Sequence, residues 1–251
     1  MTSEKEYHIG LGKGDVGRYV LLPGDPGRVP MIASFFEKSE KVAQNREFTT
    51  YRGYVGDIPI AATSTGIGCP SAAICIEELI RCGADTFIRI GTSGSLQRQV
   101  GLGDLTITTA AVREEGTSRQ YVPLSYPAVA DFDVTAALIA AARNLNVRAH
   151  YGIGHCKDAF FSEGGEGIPL EASNKELWQI WEKGNVLSTS MESAALFVIG
   201  SIRKVRAGEI LATIGLTWQD TPIVKKVGIE DAIRVAIEAV KILHAQDAKK
   251  P

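Results

Sequence analysis

The chain has 251 residues, enough to bury the core of one large α/β domain, and no linker-like composition divides it. Hydrophobic residues make up 45% of it and charged residues 22%, which excludes a disordered or fibrous protein. The formal net charge of −2 excludes a broad basic field for nucleic acid or a membrane surface, so any anion has to be held by a local cluster of arginines.

Cys69, Cys75, Cys82 and Cys156 show no CxxC spacing, and the opening MTSEKEYHIG lacks the apolar core of a secretory signal. Reduced thiols in a cytoplasmic protein are the expectation. No apolar run approaches the roughly 20 residues of a membrane-spanning helix, so a soluble single domain over 1–251 is expected.

In chain order, Gly12-Lys13-Gly14-Asp15-Val16-Gly17 matches the spacing G-x-G-x-x-G. Its context is wrong for a dinucleotide site, because the strand-like Tyr19 to Leu22 follows the glycines instead of preceding them; a turn is expected. That strand runs into Pro23-Gly24-Asp25-Pro26-Gly27-Arg28 and a helix start at Val29. Such a turn either offers backbone N–H groups and the Arg28 charge to an anion, or leaves a solvated arginine.

Asn45 to Gly53 and Ile58 to Ser64 have strand composition, and after the turn Thr65-Gly66-Ile67-Gly68-Cys69-Pro70 a helix is expected over Ser71 to Arg81, with Ser71 as N-cap. The strand Thr86-Phe87-Ile88-Arg89-Ile90 follows. Buried strands rarely carry an arginine unless its charge meets an anion, and the next residues, Gly91-Thr92-Ser93-Gly94, can turn N–H groups and hydroxyls toward one. Arg89 paired with a nearby carboxylate is the competing reading.

Leu105 to Val112 reads as a strand, Asp131 to Leu145 as a helix and Ala149 to Ile153 as a strand. Glu163 to Ala172 reads as a surface loop, and Lys175 to Lys183 as a helix bearing Trp178 and Trp181. His155-Cys156 lacks a second ligand pair at metal-binding spacing. Ser188 to Ile199 is a buried helix with Glu192 at its mouth. Thr189-x-x-Glu192 fits a capping box, while a carboxylate beside Met191 fits a sugar diol with the thioether against the ring. Ile210 to Leu216 is a strand, Thr217 to Pro222 a loop and Ile229 to Ala245 an amphipathic helix. The alternation predicts a three-layer α/β/α sandwich around a central mixed sheet.

Taken together, PGDPGR at 23–28, NREFTTYRG at 45–53, STGIGCPS at 64–71, IRIGTSGS at 88–95, YPAVADF at 126–132, CKDAFF at 156–161 and SMESAAL at 190–196 resemble the nucleoside phosphorylase-I family, most of all its uridine phosphorylase branch. The resemblance implies phosphorolysis of nucleosides to a free base and ribose 1-phosphate in nucleoside salvage, with uridine the first substrate. It implies phosphate held by Gly24, Arg28, Arg89 and Thr92, with Arg46 reaching in from a neighbouring subunit. Glu192 beside Met191 would bind the ribose hydroxyls, His8 of the neighbour the 5′-hydroxyl, and Phe160 would stack near the base. A hexamer built from dimers is implied, with inorganic phosphate as co-substrate and neither cofactor nor metal.

The pattern departs from the branch in three places. The Gln-x-Arg pair that reads uracil is replaced around Glu163-Gly164-Gly165-Glu166-Gly167, and the glutamate usual before Met191 is Ser190. Trp218-Gln219-Asp220 resembles the purine-reading loop of related enzymes, so Asp220 is a candidate base contact. A purine nucleoside phosphorylase and a nucleoside-binding protein without catalysis are the alternatives. Phosphate-independent hydrolysis would leave the arginine trio without a purpose.

Overall fold

The computed structural model of the protein describes residues 5–163, 166–218 and 227–249. Strand β1 (Tyr19–Leu22) leads through the proline-glycine turn into the short helix α1 (Arg28–Ala33). Lys13 and Gly14 form a turn ahead of β1, closed by Asp15 N–H on Gly12 O at 3.2 Å, as the context of these glycines predicts. Strands β2 (Glu37–Asn45) and β3 (Phe48–Val55) then form an antiparallel hairpin. The strand expected over 45–53 forms from Phe48 onward as β3, and only its start differs: the chain reverses at Arg46, whose φ is 51°. Strand β2 reads EKSEKVAQN and is largely exposed at the sheet's edge, so no hydrophobic alternation announces it.

Strand β4 (Ile58–Thr63) precedes helix α2 (Cys69–Cys82). Gly68, not Ser71, occupies the N-cap; the Ser71 hydroxyl lies 2.6 Å from Thr65 O and 2.8 Å from Glu47 Oε1. Strand β5 (Thr86–Ser95) continues through Gly91-Thr92-Ser93-Gly94, because β10 (Arg206–Leu216) lies parallel beside it with Leu211 opposite Gly91 and Ala212 opposite Thr92. Strand β6 (Leu105–Glu114) and the two-residue β7 (Ala128–Val129) follow, then helix α3 (Phe132–Asn144), capped by the Asp131 carboxylate on Val134 N. Strand β8 (Ala149–Lys157) runs four residues further than expected, and helix α4 (Glu171–Lys183) starts four residues earlier. The chain closes with β9 (Ser188–Ser190), helix α5 (Ser193–Arg203), β10 and helix α6 (Ile229–Asp247).

Among the described residues the strands form one mixed sheet ordered β10-β6-β8-β9-β5-β1-β4-β3-β2, with β7 on β6. Because β10 also pairs with β5, the strands β5, β10, β6, β8 and β9 close into a ring. Period-2 alternation sorts side chains to two cores. Leu21, Ile88, Ile90 and Ile210 join Ile32, Leu138 and Val240 of α1, α3 and α6. Val20, Leu22 and Phe87 join Ile76 and Phe197 of α2 and α5. Arg89 shares the parity of Phe87, so it points toward the side where α2 and α5 begin. No helix among the described residues is long and apolar enough to cross a membrane.

Candidate active site

Arg89 is 6% exposed and meets two carboxylates. Glu209, its register neighbour on β10, accepts from Nη1 at 3.1 Å, and Glu192 pairs with Nη2. Glu192 is buried at the head of α5; its Oε1 accepts the Gly68 N–H at 2.7 Å and its Oε2 the Met191 N–H at 3.3 Å. The carboxylate thus sits where the positive ends of α2 and α5 meet, a placement that stabilises an anion. Burial disfavours the Arg89 charge, yet Glu192 and Glu209 outweigh it and hold the guanidinium above its ordinary value. Burial pushes Glu209 up, with Arg89 and the Thr108 hydroxyl, 2.6 Å away, opposing.

The capping box expected at Thr189-x-x-Glu192 does not form. Thr189 lies in β9, and Glu192 occupies the N-cap of α5 with no side-chain bond to that helix. Ser190 takes part instead: its Oγ lies 2.6 Å from Ser193 Oγ and accepts the Ser193 N–H at 3.4 Å. Met191 is half-buried beside Glu192.

Two further expected residues converge on Arg89. Arg28, at the first position of α1, donates from Nη2 to Thr92 Oγ1 at 3.5 Å. Burial lowers its pKa, Asp25 opposes that shift, and the Arg89 charge lowers it further. Gly24 packs close to the next loop, since a Cβ there would lie 3.2 Å from Gly66 O. Gly91 leaves room for the guanidinium, because a Cβ there would collide with Arg89 Nη1 and come within 2.6 Å of Leu211 Cδ2. Arg89 Nε is buried and without a hydrogen-bond partner among the described residues, so one donor of the cluster stays open.

His8 and Arg46 lie together elsewhere. His8 Nδ1 is 2.5 Å from Glu78 Oε1, and Glu78 also accepts the N–H groups of His8 and Ile9. Asn45 Nδ2 donates to His8 O at 2.8 Å, and Arg46 lies over the Tyr7 ring at 5.7 Å. None of these contacts reaches Arg28, Arg89 or Glu192 within the chain. Phe160 is 60% exposed, with the Lys157 ammonium 5.8 Å from its ring centre. Asp220 and Gln219 lie outside the described residues.

Glu209 was not among the expected site residues. A lone carboxylate in the apolar run Ala207-Gly208-Glu209-Ile210-Leu211 is the same signal that singled out Arg89. Gly68 carried no such signal, since its role is a backbone N–H. His155 and Cys156, not expected to ligate a metal together, face opposite ways as neighbours on a strand. His155 stacks near Trp178 and Trp181 with Nε2 2.5 Å from Glu114, while Cys156 Sγ lies 3.6 Å from Cys69 Sγ. Cys69, Glu115 and Asp158 bring ligand atoms within 4.8 Å of one another, yet both Glu115 oxygens already accept from Thr117 and Ser118, and Asp158 from Gly116.

A profile described as the Phosphorylase superfamily matches residues 18–244. The chain is 47% identical to a uridine phosphorylase of Treponema pallidum, over 99% of this chain and 98% of that protein. It is 46% identical to a uridine phosphorylase of Thermococcus kodakarensis, over 98% and 89% respectively. It is also 37% identical to a guanosine phosphorylase of Halorubrum lacusprofundi, over 95% of this chain and 99% of that protein. With relatives this similar along nearly their whole length, the chain belongs to the Phosphorylase superfamily.

Proposed function

We propose that this protein cleaves nucleosides with inorganic phosphate, uridine first, giving the free base and ribose 1-phosphate in nucleoside salvage. The observation that carries the reading is the convergence of Arg28, Arg89 and Thr92 on a buried carboxylate, Glu192, from three separate segments. Arg28 and the open Nε of Arg89, with Thr92 and the Gly24 backbone, hold phosphate on the face of the anomeric carbon opposite the base. Glu192, with Met191 against the sugar, accepts the ribose hydroxyls and favours the positive charge that builds on the ring as the base departs. Phe160 offers a ring face to the base. Phosphate itself is the nucleophile, so we infer that neither cofactor nor metal takes part.

Charge balance supports a shared site. Arg28 and Arg89 face Glu192 and Glu209, which leaves no surplus positive charge for a phosphate. Arg46, exposed on the hairpin turn beside His8, supplies it from a neighbouring subunit, and that His8 meets the 5′-hydroxyl. We infer a hexamer of dimers, each subunit a single three-layer α/β/α domain working in the cytoplasm.

The guanosine-cleaving relative favours a second reading, a purine nucleoside phosphorylase. Incubating the protein with phosphate and uridine, inosine or guanosine, and following each base by its absorbance, separates the two. Base release independent of phosphate would overturn both, and tight nucleoside binding without turnover would mark a binding protein.

A further inference from the structure

A cavity of about 550 Å³ has none of Arg28, Arg89 and Glu192 in its lining. Its apolar walls include Trp178, Trp181, Ile168 and Leu170, and two polar pairs, Lys157 with Glu163 and His155 with Glu114, stand among them. A volume of this size with apolar walls and a few converging polar groups is what a small planar ligand needs. The cavity is tied to the candidate site by a short chain of contacts. Lys157 Nζ donates to Thr189 Oγ1 at 3.0 Å, and Thr189 N donates to Ser93 Oγ at 3.3 Å. Ser93 follows Thr92, and Thr189 stands two residues before Met191. The same ammonium lies 5.8 Å from the Phe160 ring centre and 5.2 Å from that of Trp178.

Placing Lys157 with Glu163 here is costly. Lys157 is 5% exposed, and burial drives its pKa down against the pull of Glu163. A structural tie between strand and loop would be served at least as well by apolar packing. An ammonium has three donors, of which Thr189 and Glu163 engage two; a carboxylate has about four acceptor positions. A donor and an acceptor therefore remain side by side.

We propose that Lys157 and Glu163 read the base, Lys157 donating to a ring carbonyl oxygen and Glu163 accepting the adjacent ring N–H. This rests on the phosphorolysis reading above and names the substrate class: nucleosides of oxo bases, which present an N–H next to a C=O. Uracil, guanine and hypoxanthine have that edge. Cytosine and adenine present the reverse order, an acceptor nitrogen beside an amino group, so a pair held in one order rejects them. Two points choose the order. The departing base carries negative charge, which in oxo bases collects on the carbonyl oxygens, where an ammonium stabilises it. The named relatives act on uridine and guanosine, both oxo-base nucleosides. Glu163 also opens the segment where the uracil-reading Gln-x-Arg motif is missing.

The test is kcat/KM of the full chain, in saturating phosphate, for uridine, guanosine, cytidine and adenosine, repeated with E163Q and K157M. The protein is expected to prefer each oxo-base nucleoside over its amino counterpart by on the order of 100-fold or more. E163Q carries an amide that satisfies either order, and K157M loses the donor. In both, the uridine-to-cytidine ratio should fall at least about tenfold while the KM for phosphate stays within about threefold. Because K157M leaves Glu163 unpaired in an apolar cavity, K157M/E163Q is measured as the folding control, with the same fall expected. A ratio unchanged in E163Q and the double variant, or equal cleavage of cytidine and uridine by the parent protein, overturns the assignment. No cleavage of any nucleoside overturns the phosphorolysis reading itself.

Discussion

Gly68 and Glu192 stand 124 residues apart and are joined by a 2.7 Å hydrogen bond from the glycine N–H to Oε1. The bond binds the first turn of α2 to the head of α5 and aims Glu192 at Arg89. Gly68 makes it from φ 90° and ψ 157°, a conformation that side-chain-bearing residues rarely adopt.

Gly68→Ala is accordingly expected to cost about 1–3 kcal/mol of stability through backbone strain. Pro70 Cδ, at 3.7 Å, leaves room for the added Cβ, so the effect is conformational and not steric. Urea unfolding should show the loss, and the KM for nucleoside should rise more than that for phosphate. A variant with parental stability would show that the strain is relieved elsewhere.

Gly91→Ala tests the close approach of Arg89 to its own strand. The added Cβ displaces the guanidinium and crowds Leu211, an overpacking that costs typically about 1–3 kcal/mol. The KM for phosphate is expected to rise at least about tenfold, the equivalent of one lost 1.4 kcal/mol of binding. Unaltered phosphate kinetics would place the guanidinium outside the phosphate site.

Arg89→Ala should remove about 2–5 kcal/mol of transition-state stabilisation, read in kcat/KM for phosphate. It also leaves Glu192 and Glu209 buried without their shared cation, and stability should fall by roughly 3–5 kcal/mol. Arg89→Lys keeps the charge and part of the stability but not the fork that meets two carboxylates at once, so it should separate the two losses. Parental phosphate kinetics in both variants would exclude Arg89 from the site.

The Glu114 carboxyl lies below its ordinary 4.5, chiefly through its hydrogen bond with His155, with burial opposing. The unfolded chain therefore binds more protons across that window. The contribution of Glu114 is full above pH 4.5 and is lost as pH falls through the lower folded value. Urea midpoints measured from pH 6 downward should decline less steeply in Glu114→Gln; identical slopes would assign the acid sensitivity to other groups.

Much of the architecture was legible because burial writes itself into composition. The apolar runs at 19–22, 58–64 and 105–112 became β1, β4 and most of β6, and the alanine-rich 131–145 became α3 with Asp131 as its cap. Strand β2 escaped notice because a charged edge strand buries almost nothing. The sequence leaves Glu192 between a helix cap and a binding group, because Thr189-x-x-Glu192 satisfies a local rule whose outcome depends on where helix α5 starts.

By itself the sequence determined the family, the alternation of strands and helices, and the oddity of an arginine inside a buried strand, all properties of local pattern. Only the tertiary structure decided what that arginine meets. Glu209 is its neighbour through the β5–β10 register, and Glu192 and Gly68 arrive from two helix starts on the same side of the sheet. Lys157 and Glu163, six residues apart, meet where the end of β8, the loop after it and α4 enclose a cavity. The pairings of Arg89 and Glu192, between residues more than a hundred positions apart, follow from strand order and side-chain parity, and neither can be read from a linear stretch of chain.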